Sequence, residues 1–235
     1  MTMNKSGLKG LLFDKDGVLF DFQASWGVWA ARMITELCGS DITAQRRLAK
    51  AIDFDLTTQS FRPESVVIAG TSHEAAAAFA KGLPYLSFDK INAHLLDGAL
   101  TATMQPSCDL PRLFAELKQG GYVIGLATND AEAAARRHLE DAGALEYFDF
   151  VSGSDSGFGA KPEPGMCLGF CDATGLNPNT CVMVGDSAHD LHAASSAGMA
   201  GVGVLTGVAT RADLEPLAVA VLPSIADLPD WLGKT

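Results

Sequence analysis

The apolar run Leu11-Leu12-Phe13 breaks at Asp14-Lys15-Asp16-Gly17 and resumes as Val18-Leu19-Phe20. Leu8 to Phe13 predicts a strand buried on both faces, because a strand with one wet face would alternate. Gly17 lets the backbone turn sharply where a side chain would hinder it. From Phe22 to about Thr101 the period becomes helical. Ser25 to Cys38 sets Trp26, Trp29, Met33 and Leu37 on one stripe, closed by Gly39, and the two tryptophans read as core. Thr43 to Phe54 predicts a second helix. Thr71-Ser72-His73-Glu74 resembles a capping box ahead of the alanine run Ala75 to Ala78. Phe88 to Thr103 predicts a further helix, and Val66-Val67-Ile68 is a short apolar stretch between them.

From Pro106 onward the pattern alternates. Helices are predicted over Leu110 to Gln119, Ala131 to Ala142, Pro164 to Gly175 and Ser187 to Ala197. Strands are predicted over Tyr122 to Ala127, Phe148 to Val151, Cys181 to Val184, Val202 to Leu205 and Val219 to Leu222. Such alternation implies an α/β fold with a doubly wound, Rossmann-like parallel sheet. The first strand is separated from the rest of that unit by the helical block. The expected organisation is an α/β catalytic core of residues 1–21 plus 102–235, with a helical cap domain of residues 22–101 inserted after the first strand. That insert would sit above the carboxylate turn.

Composition narrows the partners. Hydrophobic residues are 48% of the 235 and charged residues 19%, which suits a packed soluble chain. The net charge of -11 argues against nucleic acid, whose binding needs clustered Lys and Arg. Gln45-Arg46-Arg47 reads as a solvated helix face. Met1 to Lys9 lacks the apolar centre of a signal peptide, and no run approaches the ~18 apolar residues of a membrane span. Five scattered cysteines fit a reducing cytoplasm better than a disulfide frame. Cys167 and Cys171, one helical turn apart, read as buried thiols. A cytoplasmic monomer or homodimer is expected.

Four stretches end in polar residues at the same kind of place. Phe13 precedes Asp14 and Asp16, Ala127 precedes Thr128-Asn129-Asp130, the loop after Val151 reaches Lys161-Pro162, and Val184 precedes Gly185-Asp186-Ser187-Ala188-His189-Asp190. In a parallel sheet these strand ends share one edge. Clustered carboxylates repel unless a cation neutralises them. Mg²⁺ suits that role, since it characteristically takes one or two carboxylates, waters and a substrate phosphate. A carboxylate relieved in this way can attack phosphorus, and Lys161, Thr128 and Asn129 are types that hold phosphoryl oxygens. Taken singly, Asp14 and Asp16 could be turn formers and Asp190 a first-turn acid. Turn chemistry does not require all four strand ends to be polar. Ser187 reads as a helix cap, and His189 and His192 as exposed or helix-packed.

Together these stretches resemble the haloacid dehalogenase superfamily of phosphohydrolases, in the manner of phosphoglycolate phosphatases. Asp14-Lys15-Asp16-Gly17-Val18-Leu19 matches D-x-D-G-[TV]-[LIV], Thr128 the Thr or Ser after an apolar strand, Lys161-Pro162 the third motif, and Gly185 to Asp190 the fourth, G-D-x-x-x-D. The resemblance implies Asp14 as nucleophile, Asp16 as general acid then base, and Thr128, Asn129 and Lys161 as phosphate-binding residues. It implies Mg²⁺ held by Asp14, the Asp16 main-chain carbonyl and Asp186, with Asp190 supporting the metal's waters or orienting Lys161. Val18 stands for the commoner Thr. Asp130 stands where phosphoglycolate phosphatases often carry Lys, so it adds charge near the site or caps the next helix. Lys15 has no assigned role, and its side chain is expected to point away from the turn.

The implied substrate is a small phosphorylated metabolite, phosphoglycolate-like or a sugar phosphate. Arg62, in the loop Asp55 to Glu64, is the candidate for gripping an anionic group of that substrate; a plain surface Arg is the competing reading. A sugar-phosphate mutase of the same superfamily is the nearest alternative. A metal-independent dehalogenase fits worse, because it needs only the first carboxylate of the D-x-D pair. A non-enzymatic phospho-accepting receiver-like module is the reading from another class, disfavoured by acids split around Lys15 and by the large insert.

Overall fold

In the computed structural model, residues 7–233 are described. Most of the polar start, Met1 to Ser6, lies outside them. The chain runs β1 (Gly10–Phe13), α1 (Phe22–Cys38), α2 (Ile42–Ala51), β2 (Phe54–Asp55), β3 (Ser60–Phe61), α3 (Val66–Ala69), α4 (Ser72–Gly82) and α5 (Phe88–Leu100). It continues through α6 (Leu110–Gln119), β4 (Val123–Ala127), α7 (Glu132–Asp141), β5 (Phe150–Ser152), α8 (Gly165–Thr174), β6 (Cys181–Gly185) and α9 (Ala188–Ala197). It closes with β7 (Ala200–Val204), α10 (Arg211–Leu214), β8 (Ala220–Leu222) and α11 (Leu228–Leu232).

Six strands make one parallel sheet in the order β5-β4-β1-β6-β7-β8. β1 is central because it is apolar on both faces. Leu11 and Phe13 pack with Leu113, Phe114 and Leu117 of α6 and Leu139 of α7. Leu12 faces the other way, among Cys167 and Phe170 of α8 and Ala193 and Ala194 of α9. Phe13 is in register with Leu126 and with Val184, so the ends of β1, β4 and β6 lie side by side. The chain winds from β1 to β4 and β5 on one side and to β6, β7 and β8 on the other. This switch beside β1 opens the crevice in which such sheets take ligands.

The five helices after β1 form their own apolar cluster around Trp26, Trp29, Met33, Leu48, Phe79, Ile91 and Leu95. The strands of chain leading into and out of this block cross next to each other. Asp21 N–H donates to Gln105 O at 2.8 Å and Ser107 N–H to Leu19 O at 2.9 Å.

Two local expectations are corrected, and the short apolar stretch between the helices takes a definite form. The helix expected to reach Phe54 stops at Ala51, because Asp53 takes φ 50° and Phe54–Asp55 pairs antiparallel with Ser60–Phe61. Val66-Val67-Ile68 is one helical turn, started by Ser65, whose Oγ accepts Val67 N–H at 3.3 Å. The helix expected to reach Thr103 ends at Leu100. α10 and α11, of 4 and 5 residues, escape the sequence pattern because one turn shows no period.

Candidate active site

Asp14 continues β1 by one residue, its N–H donating to Val184 O at 2.9 Å. The chain then closes a tight loop, with Leu19 N–H and Phe20 N–H both donating to Lys15 O, at 2.8 and 3.1 Å. Gly17 sits at φ 76°, and a Cβ there would meet the Asp186 carboxylate. Gly207, in the loop after β7, is closed to a Cβ by the same carboxylate. Two glycines thus leave room for Asp186 from two sides.

The other strand ends supply the rest. Thr128 and Lys161 are 2% and 5% exposed, and Asp190 is fully buried. Lys161 Nζ lies 2.6 Å from Asp14 Oδ1 and 2.7 Å from Asp190 Oδ1. Asp190 also holds the start of α9, because its Oδ2 accepts Ser187 N–H at 3.1 Å and Ser187 O–H at 2.7 Å. Ser187 is therefore a helix cap, as its position suggested. One cavity is lined by Asp14, Asp16, Thr128, Asn129, Lys161, Asp186 and Asp190, with the exposed His189 at its rim. Carboxylate oxygens of Asp14, Asp186 and Asp190 lie within 4.8 Å of one another.

The electrostatics follow from burial. Removal from water, with repulsion from Asp190, pushes the Asp14 carboxyl up to about 7 even though Lys161 opposes the shift. Burial and repulsion from Asp190 and Asp14 push Asp186 well above the ordinary carboxylate value. Burial alone would lower Lys161, but Asp14 and Asp190 hold its ammonium charged. One lysine does not neutralise this group of acids. A cluster of that kind fits a hard divalent cation, which takes oxygen ligands and relieves the repulsion.

Two sequence expectations change. Asn129 lines the cavity, but its side chain is a brace. Its Oδ1 accepts Lys161 N–H at 2.9 Å, and its Nδ2 donates to Lys161 O at 3.0 Å and to Ala69 O at 2.9 Å. Both amide protons are thus engaged in tying the Lys161 loop to α3. Arg62 is not brought to the site. It is exposed and lines a separate cleft with Arg46, Lys50, Asp53 and Asp55.

The residues that sequence reasoning missed surround Asp16. Lys15, which had no assigned role, is fully buried. Its Nζ lies 2.8 Å from Asp130 Oδ2, 3.3 Å from Asp16 Oδ2 and 3.1 Å from His138 Nδ1. It also stands 4.9 Å from the centre of the Trp26 ring. Trp26 Nε1–H donates to Asp16 Oδ1 at 2.6 Å. Asp130 is thus Lys15's counter-charge, and it accepts from Ser72 Oγ of α4 at 3.0 Å. The depressed carboxyl of Asp130 reflects Lys15 overcoming the cost of burial. The signal available in sequence was a charge pair, Lys15 and Asp130, placed two and three residues beyond the ends of the neighbouring strands β1 and β4.

The family model for haloacid dehalogenase-like hydrolases matches residues 8–198. A probable phosphatase, IndB, from Dickeya dadantii is 43% identical over 99 residues, covering 42% of this chain and 43% of that protein. A phosphoglycolate phosphatase from Rhodospirillum rubrum is 33% identical over 121 residues, covering 52% of this chain and 50% of that protein. The chain thus spans about half the length, or less, of these two relatives. The crystal structure of CbbY from Rhodobacter sphaeroides in complex with phosphate superposes with a TM-score of 0.70 at 21% identity, covering 94% of this chain and 96% of that one. At that identity it speaks for the shared fold. No helix among the described residues is long and apolar enough to cross a membrane.

Proposed function

Since this chain belongs to the haloacid dehalogenase-like hydrolases, we propose that it is a Mg²⁺-dependent phosphatase of a small phosphate monoester, working through a phosphoaspartate. The observation that carries the reading is the convergence of Asp14, Asp16, Thr128, Lys161 and Asp186 on one cavity at the carboxyl edge of the sheet. The phosphatase names of similar proteins point the same way.

Asp14 attacks phosphorus, forming a carboxylate–phosphorus bond as the bond to the leaving oxygen breaks. Asp16 gives that oxygen its proton. In the second step Asp16 takes a proton from water, whose oxygen attacks phosphorus and releases the Asp14 carboxylate with inorganic phosphate. Lys161, aligned by Asp190 and by the Asn129 brace, meets the negative phosphoryl oxygens, and the Thr128 hydroxyl donates to another. Asp14, Asp186 and the Asp16 main-chain carbonyl would hold Mg²⁺, which neutralises charge between the nucleophile and the phosphoryl group. The helical block of residues 22–101 acts as a cap over this chemistry, held to it by the bonds from Asn129 to Ala69 and from Ser72 to Asp130.

The test is phosphate release from p-nitrophenyl phosphate with Mg²⁺. Asp14→Asn should lower turnover at least about 1,000-fold with the circular dichroism unchanged, as removal of a covalent nucleophile does. EDTA should abolish wild-type release and added Mg²⁺ restore it. Wild-type turnover by Asp14→Asn would place the chemistry elsewhere. Isomerisation of β-glucose 1-phosphate in place of phosphate release would make the chain a mutase.

A further inference from the structure

We propose that the alcohol released by this enzyme is uncharged and presents an apolar body, so that the preferred substrate carries no second anionic group. The proposal rests on the phosphatase reading and adds the class of leaving group.

The cavity has two unlike halves. The sheet edge supplies the charged groups described above. The helical block supplies Val67, Ile68, Ala75 and Leu96, backed by Phe22 and Trp26. Its hydroxyl side chains in the lining are Thr71 and Ser72, and both are engaged; of its two indoles, Trp26 donates to Asp16 and Trp29 Nε1–H alone is buried without a partner among the described residues. Thr71 Oγ1 donates to Glu74 Oε2 at 3.0 Å and accepts Glu74 N–H at 3.2 Å, which starts α4. Ser72 Oγ donates to Asp130. A sugar bearing several hydroxyls would leave most of them facing hydrocarbon, and each such group lacks the hydrogen bonds it had in water.

A substrate carboxylate or second phosphate fares worse. Among the described residues, Lys161 is the one Lys or Arg lining the cavity, and Asp14 and Asp190 already flank its ammonium. The arginines of the helical block are directed elsewhere. Arg32 Nη2 donates to Gly98 O at 2.7 Å, Arg47 Nε donates to Gly82 O at 2.7 Å, and Arg62 lines the other cleft. Besides Asp186, the other ionisable groups of the lining are Asp16 and Asp130, which already share the buried Lys15, and the exposed His189 at the rim. A second anion would therefore be buried beside carboxylates with no unpaired Lys or Arg in the lining to meet it, which is unfavourable in a desolvated site. An apolar alcohol meets the opposite balance, because the half-buried Val67, Ile68 and Leu96 gain burial against it.

Three esters of primary alcohols separate the possibilities: benzyl phosphate, phosphoglycolate and glucose 6-phosphate. With Mg²⁺ the proposal expects kcat/KM for benzyl phosphate to exceed each of the others by tenfold or more. It also expects Ile68→Lys to move the benzyl-to-phosphoglycolate ratio at least tenfold toward phosphoglycolate, by adding the missing cation. Leu96→Lys is the second variant should Ile68→Lys fail to fold. Phosphoglycolate or glucose 6-phosphate turned over as well as benzyl phosphate by the wild type would overturn the proposal. So would Lys variants that fold and leave the ratio unchanged. No phosphate from these esters or from p-nitrophenyl phosphate would instead defeat the phosphatase reading itself, and this inference with it.

Discussion

Lys15→Met removes one charge from the most enclosed ion pair outside the proposed catalytic set. Methionine roughly fills the volume of the lysine stem, so the loss is electrostatic more than a cavity. Asp130, 11% exposed at its side chain, loses a partner at 2.8 Å. Removing one member of a buried pair costs about 3–5 kcal/mol, because the remaining charge stays desolvated. Asp130 keeps Ala131 N–H at 2.7 Å and the Ser72 hydroxyl at 3.0 Å, and Asp16 is 15% exposed. The lower end, about 3 kcal/mol, is therefore expected. Adding Asp130→Asn removes the orphaned charge while an amide oxygen still accepts from Ala131 and Ser72. The double variant should stand within about 1 kcal/mol of wild type, so the coupling between the two sites is ~2 kcal/mol plus the cost of Asp130→Asn alone. Urea unfolding followed by tryptophan fluorescence measures all four proteins of the cycle, with a constant m-value as the check on the comparison. A Lys15→Met loss below about 1 kcal/mol would refute the reasoning. So would a double variant no more stable than the single one.

Gly207→Ala should drive the Asp186 carboxylate from its place, because a Cβ at that position would meet it directly. The Mg²⁺ concentration for half-maximal phosphate release should rise about 10- to 100-fold with the fold intact; an unchanged Mg²⁺ titration would show that Asp186 does not hold the metal. His138 gives a pH prediction. Burial and the neighbouring Lys15 hold its imidazole below the ordinary value, while in the unfolded chain it titrates near 6.5. The unfolded chain then binds more protons below about pH 6.5, so stability falls as pH drops through that window, by up to about 1.4 kcal/mol per unit. His138→Gln should show a shallower slope from pH 6.5 to 5 in urea unfolding, and equal slopes would remove the imidazole from the account.

Much of this molecule is written in local pattern. Leu11 to Phe13 lacks the alternation of a half-wet strand, which predicted the centre of a parallel sheet before any pairing was known. Gly-closed amphipathic stretches located long helices, and the run of helices after the first strand is what suggested an inserted block. Asp14, Thr128, Lys161, Asp186 and Asp190 could be brought together on paper, because parallel strands of a doubly wound sheet end on one edge.

What the tertiary structure alone decided is which way side chains turn once there. Lys15 lies between two catalytic-type acids in sequence, yet only packing against Asp130, His138 and Trp26 makes its burial tolerable. Asn129 has the chemistry of a phosphate ligand and is held instead as a brace, because the backbones of Lys161 and Ala69 arrive within its reach. Arg62 is the cation of its loop, but the hairpin of β2 and β3 turns it into another cleft. Lys15 meets His138 across 123 positions of the chain, and Asn129 meets Lys161 across 32. Hydrophobic period reports which face of an element is buried. It carries nothing about which buried polar groups will meet across elements, and in this chain those meetings decide what the cavity accepts.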